Sequence, residues 1–220
     1  MLIALPESPA WLASRGILKK KPAPLTDLFR PVLLRVTLAA IVISAIPMAG
    51  AWAASKWMIP WADKVAGAAN ADYKAAAQGW WALGATIGSL LEAQLAGWMG
   101  RRRSYLLISI GATVLTVVMF QLTAPLQPGF HAVMFAQRMV ATLFFGWLAL
   151  YLPELFPVEV RATGSGLAYN SGRFATAAGV LGAGLLFSAL GGDYPLVGTI
   201  CAGIYALGIV AIRLVKEPSV

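Results

Sequence analysis

The 220 residues include a single cysteine, Cys201, and a single histidine, His131. A disulfide framework needs paired cysteines and a zinc knuckle needs several soft or imidazole ligands, so neither is open to this chain. Charge is scarce too. Only 12% of the residues are Asp, Glu, Lys or Arg, where a soluble globular domain carries about a quarter, and this excludes an ordinary cytosolic enzyme. Neither face of the chain carries a Ser/His/Asp or histidine-rich constellation, so the chain is not expected to be an enzyme or to need a cofactor or metal. The first residues, Met1-Leu2-Ile3-Ala4-Leu5, lack the basic region and the length of a secretory signal. They read as the tail of a preceding helix.

What the chain has is apolar length. It is 59% hydrophobic with a mean hydropathy of +0.74. About 20 apolar residues are needed to cross about 30 Å of hydrocarbon as a helix. Six such runs occur, over residues 33–52, 79–98, 105–122, 133–152, 164–190 and 196–215. Backbone groups find no partners in lipid, and none of the runs alternates as a barrel strand does, so the expected fold is an all-α integral membrane protein of six spans. Residues 1–31 read as a cytoplasmic linker and residues 32–220 as the six-helix bundle. Two short connections, at 100–104 and 191–195, predict tight antiparallel hairpins. The mixed stretch 57–80 predicts an outer loop, with Trp52, Trp57, Trp61, Trp80 and Trp81 as an interfacial belt.

The net charge of +8 does not point to nucleic acid, because the basic residues stand in short clusters between apolar runs instead of on one polar face. Arg15, Lys19, Lys20, Lys21, Arg30, Arg101, Arg102, Arg103, Arg161, Arg213 and Lys216 fall on one side of the six spans. Lys56, Lys64 and Lys74 fall on the other. The first side is therefore predicted to be cytoplasmic, with both termini there, in a cell (inner or plasma) membrane.

A few residues have a physical claim to function. Arg173 lies about nine residues into the fifth run, roughly 13 Å deep, and Glu92 lies roughly 9 Å from the same face. Buried charge in a membrane needs a partner or a watery cavity. The two are read either as a structural ion pair or as an anion-binding arginine with a proton-carrying carboxylate. Asn170 shares the helical face of Arg173, and Tyr169 lies one turn before it. At the cytoplasmic face Arg101, Arg102, Arg103 and Arg161 stand near Glu7 and Glu154, a set that suits a latch because arginine reads carboxylates bidentately. Gly84 and Gly88, and the glycines crowded at 164–184, suit close helix approach or bending. Arg138 is placed about one turn into its run and reads as an arginine snorkelling to the outer headgroups.

Several strings resemble the major facilitator superfamily, specifically its carboxyl-terminal six-helix half. Pro6-Glu7-Ser8-Pro9-Ala10-Trp11-Leu12 is similar to the motif that follows the sixth helix in sugar-porter-like members, with Ala10 where the motif has arginine. The segment from Gly88 to Gly100-Arg101-Arg102-Arg103 resembles the second copy of that family's loop motif, with Gly97-Trp98 in place of an Asp-Arg pair. Tyr151-Leu152-Pro153-Glu154-Leu155-Phe156-Pro157, then Arg161-Ala162-Thr163-Gly164-Ser165-Gly166 and Tyr169-Asn170-Ser171-Gly172-Arg173, is similar to the link between the tenth and eleventh helices of metabolite–proton symporters, sialate and carboxylate carriers among them.

The resemblance implies half of a twelve-helix fold that works by alternating access with an amino-terminal half or a second subunit. Its first, second, fourth and fifth spans would line a cavity. The expected function is proton-coupled symport of a small organic anion, with Arg173, Asn170 and Tyr169 binding substrate, Glu92 coupling the proton, and Glu7, Arg101, Arg102, Arg103, Glu154 and Arg161 forming a cytoplasmic gate. Two other readings stay open: a sugar or neutral-metabolite porter, and a truncated fragment that does not transport. The expected partners are the bilayer, a small-molecule substrate and protons, and not nucleic acid.

Overall fold

A computed structural model describes residues 24–215; Glu7 lies outside them. Among the described residues every regular element is helical. Seven α-helices follow one another: α1 (Pro31–Ala53), α2 (Met58–Ala66), α3 (Asp72–Met99), α4 (Arg101–Gln121), α5 (Phe130–Leu155), α6 (Arg161–Ala189) and α7 (Tyr194–Ala211). The described residues fit a multi-pass helical membrane protein: five segments among them are long and apolar enough to cross a bilayer, namely Pro31–Ala66, Arg101–Gln121, Phe130–Leu155, Arg161–Ala189 and Tyr194–Leu214. The second expected span, within α3, is not among the five. At 28 residues α3 is long enough, but Thr86, Ser89, Glu92 and Gln94 dilute its apolar character.

The stretch read as an outer loop is mostly helix. Pro60 sits in the first turn of α2, where a missing N–H is harmless, and Met58, Ile59, Trp61, Ala62 and Ala66 bury one side of that helix. The tryptophan belt changes accordingly. Trp61 is buried against Phe120, with ring centroids 5.6 Å apart, and Trp57 stacks on Phe187 at 4.8 Å, while Trp52 and Trp80 stay exposed.

The expected hairpins also differ from the packing. Gly100 alone separates α3 from α4, and its φ of +78° is one a residue with a Cβ rarely adopts. Yet α3 packs chiefly on α5, α1 on α6, and α4 on α7 and α5, and the two sequence neighbours pack little against each other. The choice lies in the helix surfaces. A Cβ at Gly84 or Gly88 would strike the α5 backbone at Phe135 or Met139, and one at Gly172 would meet Met48 and Ser44 of α1. By contrast Gly166, Gly182 and Gly184 face open space. Between α4, α5 and α7 an aromatic core stacks Tyr105, Phe144, Trp147, Tyr151 and Tyr205, with Tyr105 and Trp147 centroids 4.5 Å apart.

Candidate functional site

Arg173 lies about 18 Å along α6 from Arg161, near the middle of that 29-residue helix. It is exposed, as are its neighbours Asn170 and Phe174. Its guanidinium sits 5.8 Å from the Tyr169 ring centroid. Asn170 Nδ2 donates to Gly166 O of its own helix at 2.8 Å. The ion pair between Glu92 and Arg173 is not formed among the described residues. Glu92 turns instead to α5, where its Oε2 accepts from the Gly146 N–H at 3.0 Å. It fits because residue 146 has no side chain: a Cβ there would collide with the Glu92 carboxyl group. Glu92 is therefore locked into the α3–α5 seam, and Arg173 stands apart on α6.

At the arginine-rich end, Arg101 and Glu154 form a bidentate pair, Nε to Oε2 at 3.0 Å and Nη2 to Oε1 at 2.6 Å. Trp147 Nε1 donates to the Arg101 carbonyl at 2.6 Å, so α5 grips the start of α4 through both groups. Arg161 donates from Nε to Phe156 O at 3.3 Å. Arg102 and Arg103 are exposed and share a cleft of about 160 Å³ with Arg213, between α4 and the end of α7.

Sequence reading missed a second polar cluster, near the opposite end. The helix that carries Arg138 begins at Phe130, so Arg138 is about 12 Å, or about two turns, along it. Its guanidinium lies 4.1 Å above the Trp81 ring. Its Nε and Nη1 are buried without a hydrogen-bond partner, and so is Trp81 Nε1. Arg138 is therefore held in the protein instead of reaching headgroups. These residues, with Ala51, Trp52, Lys56 and Phe145, wall a cavity of about 290 Å³. Lys56 Nζ sits 4.3 Å over the Trp52 ring. Next to Arg138, Gln137 is fully buried in a hydrogen-bonded group: its Nε2 donates to Ser55 Oγ at 2.9 Å and Thr116 Oγ1 at 3.0 Å, and Ser55 Oγ meets Tyr205 OH at 3.1 Å. This ties α5 to α4, α7 and the turn after α1, and so fixes the register that presents Arg138. The signal available in the sequence was Pro128-Gly129, which starts the helix earlier than the apolar run does.

No family model matches the chain. A protein of Cupriavidus pinatubonensis whose name assigns it 4-methylmuconolactone transport is 35% identical over 137 residues, covering 62% of this chain and 31% of that protein. A Haemophilus influenzae protein named for metabolite transport is 30% identical over 146 residues, covering 63% of this chain and 33% of that protein. The matched region thus spans about a third of the length of each relative, and both relatives are named as carriers of small molecules.

Proposed function

We propose that this chain forms one six-helix half of a secondary transporter of the major facilitator type, carrying a small organic anion together with a proton. Arg173 carries the reading. It is a cation exposed at mid-depth on a helix long and apolar enough to span a bilayer. A charge facing hydrocarbon at that depth costs about 2.5–3.5 kcal/mol on insertion scales, so this surface suits a watery cavity or a second bundle. In this arrangement α3 supplies the sixth span, and the arginine-rich end faces the cytoplasm of a cell membrane. The rest of the pathway comes from an amino-terminal half or a second subunit. Arg173, with Tyr169 and Asn170, attracts the anion and Glu92 carries the proton. The Arg101–Glu154 pair, with Arg102, Arg103, Arg161 and Glu7, closes the inner gate. The names of the two relatives support a small-molecule cargo.

The test is uptake of labelled organic acids into proteoliposomes under an imposed pH gradient, with this chain alone and with a six-span protein encoded beside it. Arg173→Ala is expected to abolish uptake with membrane insertion unchanged; undiminished uptake would remove Arg173 from the substrate path. Glu92→Gln is expected to lose gradient-driven accumulation while keeping exchange, and full accumulation by this variant would exclude its role in coupling.

A further inference from the structure

We infer that the cavity walled by Trp52, Lys56, Trp81 and Arg138 binds a small carboxylate with a flat apolar body, at a site separate from Arg173. As a station for transported cargo it rests on the reading above; as a binding site it stands on its own geometry. Two cations line it, and no side chain lining it is a carboxylate or an amide. One face of the Arg138 guanidinium is taken by Trp81, which leaves its N–H groups to bind a ligand in the guanidinium plane. Two of its nitrogens lack any acceptor, as does Trp81 Nε1, and unsatisfied donors in a buried setting favour a ligand that brings acceptors. A carboxylate brings acceptors alone when ionised. A sugar is a poorer fit, because its hydroxyls also need acceptors and this lining supplies no side-chain acceptor. The remaining wall is flat and apolar, made by two indoles, Phe145 and Ala51. The volume of about 290 Å³ sits at the lower edge of small-molecule sites, about 300–1,000 Å³, which limits the ligand to a small acid.

The experiment uses the full chain in nanodiscs at neutral pH, titrated with benzoate and with benzamide as its neutral counterpart, and reads indole emission. Saturable quenching by benzoate and none by benzamide is expected. Arg138→Gln is expected to weaken benzoate about tenfold or more, since it removes hydrogen bonds to a charged group. Lys56→Gln, which changes only an exposed side chain, is expected to weaken it a few-fold, and it decides the matter if the Arg138 variant fails to fold. Absent saturation, an equal response to benzamide, or parental affinity in both the Arg138 and Lys56 variants would overturn the site. The two readings fail separately. Benzoate binding that needs Arg138 but comes with no uptake in any arrangement leaves this site standing and removes the transport reading. Uptake alongside benzoate binding indifferent to both variants does the reverse.

Discussion

Pro47 interrupts α1 without breaking it, and a single hydroxyl explains how. Proline lacks an N–H, so the carbonyl four residues back, at Ile43, loses its helical donor. In a bilayer no water replaces that donor. The Tyr105 hydroxyl of α4 does, donating to Ile43 O at 2.9 Å. Tyr105→Phe is therefore expected to destabilise the protein by about 1–3 kcal/mol, the range for an orphaned buried group, seen as a lower Tm in detergent. Pro47→Ala restores the N–H, and in that background the same Tyr105→Phe change should cost much less. An equal loss in both backgrounds would mean the hydroxyl serves another partner. Arg101 and Glu154 are partly exposed, and such pairs contribute only about 0–1 kcal/mol. On the transport reading proposed above, their bidentate geometry would hold α4 and α5 in one state of the cycle. Arg101→Gln or Glu154→Gln alone should alter uptake rate with little change in Tm, and the exchanged pair Arg101→Glu/Glu154→Arg should recover part of it; no recovery would argue that the pair is not the switch.

Between elements, glycine decides which helices meet. Gly84 and Gly88 let α3 lie on the α5 backbone, and a Cβ at either would strike a main-chain carbonyl that cannot swing aside. Gly84→Val is expected to leave the protein unable to assemble, observed as loss of a monodisperse peak after extraction. Gly182, with nothing within 4 Å of an added Cβ, is the control. Gly182→Ala should be neutral or stabilising by about 0.5–1 kcal/mol, since helical glycine carries an entropic penalty. The pair also shows what was legible in the sequence and what was not. Runs of apolar residues announced the long helices, and the small-residue spacing announced close packing. The partner did not follow from either, because α3 and α4 are joined by one residue and still choose different neighbours. Likewise the sequence put Glu92 and Arg173 inside long helices, but did not show that Glu92 enters a notch left by Gly146 on a different helix. Arg138 was misread because an apolar window begins where hydropathy rises, while the helix begins where Gly129 allows a left-handed turn, at φ +91°.

At the scale of the whole molecule, burial is uneven in a way that a free-standing bundle does not explain. Only 11% of the most apolar window of α6 is buried within the described fold, against 44% in each of the other four candidate spans. The uncovered face carries both Arg173 and Phe174, the latter 80% exposed. Lipid against Phe174 and Leu185 would be unremarkable, but lipid against a guanidinium at the same depth is unfavourable, so the face is expected to meet water or protein. The lone cysteine makes this measurable, because Cys201 is buried and contributes little background. In membrane vesicles Phe174→Cys should react with a small water-soluble thiol reagent. Leu207→Cys should not, since Leu207 is exposed on α7, which carries no charge in its apolar stretch. Supplying the complementary six-helix partner should then slow modification at position 174 or convert it into a cross-link, while position 207 stays as it was. If both positions resist the reagent, α6 faces hydrocarbon along its length and Arg173 is satisfied from within the chain, which would leave the bundle without the open wall that a paired transporter half needs.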